Sequence, residues 1–147
     1  MKNIPLNKTA IAERSGLTPR QVQFYTEQGI IIPEVDPGEG RGKTRLYSRH
    51  NLFQCGIIKV LVDLGLQVHK IRFIMDFLEK NTPYRKAQAQ FDRNDSLQLY
   101  VKFFSGDNYR VGLGGGRGQG SILTTEELAD TSHCFVINLR AVHNMVR

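Results

Sequence analysis

Residues 18–29 read Thr18-Pro19-Arg20-Gln21-Val22-Gln23-Phe24-Tyr25-Thr26-Glu27-Gln28-Gly29, a helix with both ends marked in the sequence. The Thr18 hydroxyl can accept from the backbone N–H near Gln21, and the Gln21 side chain can reach back to the Thr18 amide, which makes a capping box. Pro19 falls at the first helical position, where its missing N–H is no loss and its φ is already helical. Gly29 supplies a left-handed stop after about Gln28. Upstream, Asn7 caps a first helix carrying Ile11 and Ala12, and Gly16 ends it. The few residues between Gly16 and Thr18 leave room only for a tight turn. Such a pair is either a plain helical hairpin or a helix-turn-helix whose second helix enters a DNA groove.

The faces of the second helix differ. Val22 and Tyr25 lie three apart and should pack against Ile11 and Leu17. Arg20, Gln23 and Phe24 form another stripe, with Gln21 at its edge. Cationic, amide and aromatic groups on one exposed stripe suit phosphates and base edges; the alternative is a solvated polar face.

Downstream, the β-branched run Ile30 to Val35 precedes Asp36-Pro37-Gly38-Glu39-Gly40-Arg41-Gly42-Lys43 and then Thr44-Arg45-Leu46-Tyr47. Two short strands around a Gly- and Pro-rich connection predict a β-hairpin wing. Arg41, Lys43 and Arg45 crowd its tip, where glycine permits close approach to a polyanion and cations release counterions from phosphates. A nucleotide-binding glycine loop is the rival, but no Gly-Lys-Ser/Thr follows at P-loop spacing.

This order of helix, turn, Arg20 to Ile31, wing ending Thr44-Arg45-Leu46-Tyr47-Ser48, and two more helices resembles the MerR family of bacterial transcription regulators over residues 4–79. Tyr25, Gly29, Arg45, Leu46 and Tyr47 match the family pattern. Gln23 stands where the family usually has Arg, Phe24 where it has a first Tyr, and Thr44 where it has an aromatic residue. The resemblance implies a homodimer bound to double-stranded promoter DNA, with RNA polymerase as a further partner. In that family the dimer bends and untwists an overlong promoter spacer under effector control. The DNA-contacting set it implies here is Thr18, Arg20, Gln21, Gln23, Phe24, Arg41, Lys43, Arg45 and Tyr47. The departures at Gln23 and Phe24 remove one phosphate-pairing cation and one hydroxyl.

Ser48 should cap a third helix with Phe53, Ile57, Val60, Leu61 and Leu64 at helical spacing, ended by Gly65. Val68, Ile71, Ile74 or Met75, and Leu78 predict a fourth, with Phe73 and Phe77 off its stripe and facing either the C-terminal region or a second subunit. No heptad repeat follows Asn81. Leu97 to Phe104 and Tyr109 to Leu113 instead read as a hairpin across Ser105-Gly106-Asp107-Asn108. The glycine-rich run Gly112 to Gly120 is either a linker or a ligand-wrapping loop. Thr124 or Thr125 could cap a short helix through Glu126, Glu127 and Leu128. His133 to Leu139 reads as a strand and Arg140 to Arg147 as an amphipathic tail. The expected class is thus α+β, with a winged helix-turn-helix domain at 1–80, a linker at 81–96 and a small β-rich effector or dimerisation module at 97–147.

Over 147 residues, 40% hydrophobic content suffices for packed cores, and a net charge of +6 favours a polyanionic partner. No apolar run reaches membrane-spanning length and no signal-peptide core is visible at the amino terminus, so a cytoplasmic, nucleoid-associated protein is expected. Cys55 and Cys134 form no CxxC, and His50, His69, His133 and His143 form no zinc or hydrolase motif. No metal, cofactor or catalytic residue is expected, and the chain reads as a non-enzyme whose effector is unknown. Two other readings stand beside a regulator: an architectural winged-helix protein of the phage excisionase or packaging type, and a ligand-sensing or interaction module with weakened DNA binding.

Overall fold

Helix α1 (Lys8–Ser15) begins where the Asn7 side chain accepts from the Ala10 N–H at 2.8 Å and ends at Gly16, whose φ of 83° is left-handed. Helix α2 (Pro19–Glu27) starts with the full Thr18–Gln21 capping box, and Gly29 follows at φ 71°. Helix α3 (Arg49–Asp63) repeats the device with Ser48 and Asn51, and Gly65 lies beyond its end at φ 81°. Helix α4 spans Val68–Asn81. In the computed structural model the described residues are 4–81, 84–93, 96–104, 107–114, 129 and 131–146. Among them no helix is long and apolar enough to cross a membrane.

The chain divides into two units, Met1–Asp76 with Val142–Arg147, and Phe77–Ala141. In the first, Ile11, Val22, Tyr25, Ile31, Leu52, Ile57, Ile58, Leu61, Ile71 and Ile74 are buried together with Tyr47. Of the stripe that helical spacing predicts on α3, Phe53, Ile57 and Leu61 are buried, Val60 is half-buried and Leu64 is exposed; Leu52 and Ile58 widen the buried face.

The wing differs from the expected two-stranded hairpin. Its pairing is reduced to single bridges, Asp36 with Leu46 and Leu6 with Tyr47. Ile30 and Ile31 sit in the core, Ile32 and Val35 are exposed, and Pro33 has no N–H to offer a ladder. A side chain serves in its place. Asn51, 1% exposed, donates from Nδ2 to the Ile32 carbonyl at 2.9 Å and accepts on Oδ1 from Glu34 N–H at 3.0 Å. The same oxygen accepts from Ser48 N–H, and Nδ2 also donates to Gln54 Oε1. Donors and acceptors on both sides fix the amide's orientation.

The second unit holds helix α5 (Tyr84–Asp92) and an antiparallel sheet in the order β2-β1-β3, with β1 Gln98–Phe103, β2 Tyr109–Gly114 and β3 His133–Asn138. Val101 opposes Val111 and Phe135, and Phe103 opposes Tyr109 and His133. The Phe103 ring stacks on His133 at 4.5 Å and meets Phe135 edge-on at 5.5 Å. On the other face Tyr100 opposes Gly112, and a Cβ there would lie 2.1 Å from the tyrosine ring. Glycine is therefore required under that ring.

Two boundaries fall elsewhere than the sequence suggests. Residues 84–92 are helical where a linker was expected, because Ala87 and Phe91, four apart, are both buried. The division falls after Asp76, and helix α6 (Leu139–Val146) returns its end, Val142 onward, to the first unit. Gly56 makes this possible, since a Cβ there would lie 2.8 Å from a Val146 methyl. Residues 115–128 lie outside the described residues, and with them most of the glycine-rich run and the helix expected after Thr124 or Thr125.

Asn51→Ala should destabilise the protein by about 2–4 kcal/mol in urea titrations, because buried backbone groups lose their partner. Asn51→Asp should be nearly as damaging, since a carboxylate cannot donate to Ile32 or Gln54. A loss under about 0.5 kcal/mol for both, the range of ordinary surface changes, would refute this role.

Burial pushes the Cys55 thiol from its ordinary value of 9.0 up to about 12. The unfolded chain ionises first, so the stability present below about pH 9 should decline as pH rises towards 12. Burial raises the Tyr25 hydroxyl in the same direction. Urea midpoints from pH 7 to 11 should fall more steeply for the parent than for Cys55→Ala; equal slopes would count against it.

Candidate nucleic-acid interface

Tight capping places the polar stripe of α2. Thr18 Oγ1 accepts from Gln21 N–H at 3.1 Å, and Gln21 Oε1 accepts from Thr18 N–H at 2.9 Å. Each keeps a donor for an outside acceptor, the hydroxyl proton of Thr18 and the NH2 group of Gln21. With Val22 and Tyr25 turned inward, Arg20, Gln23 and Phe24 are exposed. Phe24 remains 39% exposed, with its ring edge-on to Tyr25 at 5.2 Å.

Gln23 is not an isolated amide. Its Oε1 accepts from Lys8 Nζ at 3.2 Å, and its Nε2 donates to Glu27 Oε1 at 2.9 Å. These bonds are exposed and so exchangeable for contacts to another molecule. Lys8, at the start of α1, was not among the expected residues. Nothing local to the sequence marks it, because only the crossing of α1 and α2 brings it beside Gln23.

The wing completes the surface. Gly38, at φ 68°, donates its N–H to Asp36 Oδ1 at 2.8 Å, and a Cβ on it would lie 2.8 Å from the Arg45 backbone nitrogen. Glycine therefore lets the wing fold back on Arg45. A cleft of about 350 Å³ opens between wing and helices, lined by Lys8, Gln23, Gly38, Lys43, Thr44, Arg45 and Tyr47. Lys8, Lys43 and Arg45 give it a cationic lining suited to a phosphate backbone. Arg41 is exposed at the wing tip and does not line this cleft.

Tyr47 departs from its expected place as a DNA contact. It is 0% exposed, and its backbone exchanges hydrogen bonds with Leu6. Its hydroxyl lies 3.0 Å from Thr26 Oγ1, which itself donates to the Val22 carbonyl. The single Thr26 proton is thereby used, so Tyr47 donates to Thr26. Tyr47 locks the wing strand to α2 and positions Arg45 beside it.

Cys55 is buried with a raised thiol, and burial also raises Cys134 against the lowering influence of Lys102. Among the described residues no cluster of three His, Cys, Asp or Glu could hold a metal ion.

A capped helix with an exposed polar stripe, joined by a tight turn to α1 and flanked by a cationic wing, defines a winged helix-turn-helix domain. Residues 8–78 match the family described as MerR HTH family regulatory protein. The chain is also similar to uncharacterized HTH-type transcriptional regulators of Mycobacterium bovis and Mycobacterium tuberculosis, each 32% identical over 66 residues. That stretch is 45% of this chain and 29% of each relative, so the chain spans under a third of the length of the relatives it matches. Residues 8–78 of this chain are thus similar to MerR-type HTH regulatory proteins.

Phe24→Tyr should leave the melting temperature within about 1–2 °C, because at this exposure the added hydroxyl reaches solvent. It should tighten DNA binding by the net value of one charge-assisted hydrogen bond, roughly 1.5–3 kcal/mol at best. A lower melting temperature with unchanged affinity would show that the stripe does not face DNA.

Proposed function

We propose that this chain is a sequence-specific DNA-binding transcription regulator that acts as a homodimer on promoter DNA. One observation supports the reading above others: the cationic cleft of Lys8, Lys43 and Arg45 abuts the exposed stripe of α2. One surface thus joins groups suited to phosphate with groups suited to base edges. Arg20, near the start of α2, reads a base edge. Arg45 and Lys43 hold the flanking backbone, and Lys8 supports it from α1. Thr18 and Gln21 add donors at the helix N-terminus, where anions are favoured. A single domain of this size offers a small footprint, and paired half-sites suit a two-fold dimer. Its contacts come from the segment after Asn81, and RNA polymerase is the further partner at the promoter.

Glu27 favours a second reading, an interaction module with weakened DNA binding. It puts a carboxylate within 2.9 Å of the Gln23 amide, on a helix where the family pattern has a cation at Gln23. Enrichment of bound fragments from random DNA separates the readings. An inverted repeat marks a dimeric regulator, a weak shape preference an architectural protein, and no enrichment a module that has lost DNA.

Arg20→Ala and Arg45→Ala should weaken binding by different routes. Loss of Arg20 should flatten preference between sites by roughly 1–3 kcal/mol. Loss of Arg45 should weaken all sequences alike and lower the salt slope by about one. If both variants match the parent across a salt titration, the proposed interface is wrong.

A further inference from the structure

The N-terminal unit has a second concave site, remote in composition from the cationic cleft. A cavity of about 340 Å³ lies among the end of α1, the middle of α3 and the returning end of α6. That volume is at the small end of the range for organic ligands, roughly 300–1000 Å³. Its apolar lining comes from Gly56, Val60, Val142 and Val146. Gly56 lets Val142 and Val146 close in on α3, since any side chain there would displace them, and the two valines form one wall of the cavity. Met145 also borders the cavity and is 78% exposed. An exposed methionine is a soft, unbranched side chain that can fold over ligands of varied shape.

The charged groups at the rim are not equivalent. Lys59 Nζ is neutralised by Asp63 at 2.8 Å. Arg14 donates from Nη2 to the Val146 carbonyl at 3.2 Å and has no carboxylate within ion-pair distance among the described residues. Its guanidinium is thus held in place beside the apolar lining, with further N–H groups still to be satisfied. Glu13, the remaining charge, is exposed as Arg14 is, and among the described residues no hydrogen bond or ion pair holds it. Held on the Val146 carbonyl, the exposed Arg14 guanidinium offers an anion a fixed fork of donors, whereas the Glu13 carboxylate has no such anchor from which to hold a cation.

We propose that this cavity binds a small organic acid, its apolar body against Val60, Val142 and Val146 and its carboxylate on Arg14. Ser15 and Gly16, the turn between α1 and α2, border the same cavity, so an occupant touches the joint of the helix-turn-helix. The inference does not rest on the DNA-binding reading.

The test is a titration of the full chain with 1-naphthoate, followed by amide NMR shifts, alongside the neutral 1-naphthalenemethanol and the cationic 1-naphthylmethylammonium. The acid should give saturable shifts at Gly16, Gly56 and Lys59 and bind at least fivefold tighter than either comparison compound. Val60→Phe, which fills the cavity, should weaken it about tenfold. Arg14→Gln should remove the preference for the acid, and Arg14→Lys should restore part of it. No saturable shift at those amides, equal affinity for acid and alcohol, preference for the ammonium compound, or unchanged binding to Val60→Phe would each overturn the proposal.

Discussion

The Asn51 side chain holds together parts of the N-terminal unit that lie far apart along the chain. Its amide joins the start of α3 to the backbone of Ile32 and Glu34, and through Ser48 to the end of the wing. A buried amide is costly unless each donor and acceptor is satisfied, and here both atoms are. Because the geometry of an amide is rigid, the wing leaves the core at a fixed place although it lacks a ladder of its own. Ser48 adds a second tie, through the hydrogen bond of its hydroxyl to Glu34 Oε2. His50 Nε2 lies 3.9 Å from the other oxygen of that carboxylate.

From that anchor the arrangement of the candidate interface follows. Tyr47 is drawn inward to Leu6 and Thr26 and forms the floor of the cleft that Arg45, two residues before it, also lines. Gly38 admits the close return of the wing, and Lys8 arrives from α1. The cations therefore converge from separate segments on a stripe of α2 whose orientation is set by Val22 and Tyr25. Gln23 and Phe24, where the family pattern has Arg and Tyr, shift the balance. Less of the charge comes from α2 itself, and more from its neighbours.

The other unit is organised by pairing across strands. On one face Phe103 gathers Tyr109, His133 and Phe135; on the other the Tyr100 ring covers Gly112. Such pairs fix register, because a slip of one residue would exchange the two faces. The end of α6 belongs with the N-terminal unit, where Val142 and Val146 are buried and Phe53 meets His143 edge-on at 5.8 Å. The last turns of the chain thus complete a core begun by its first helices.

Local rules were enough for much of this. The capping boxes at Thr18 and Ser48, the stops at Gly16, Gly29 and Gly65, and the apolar stripes of α3 and α4 all depend on residues within one or two turns of each other. The strands near 98–103, 109–114 and 133–138 were legible for the same reason, as runs of β-branched and aromatic residues. The exposed stripe Arg20, Gln23, Phe24 could likewise be read from helical spacing, as could the match to the MerR family. What needed tertiary structure was every feature made by residues far apart in the chain. Asn51 replacing a wing ladder, Tyr47 buried against Thr26, Lys8 beside Gln23 and the tail over Gly56 are all of this kind. Helical and strand periodicity encode which side of an element is apolar; they carry no information about which distant segment will cover it, because that is settled only when the elements pack.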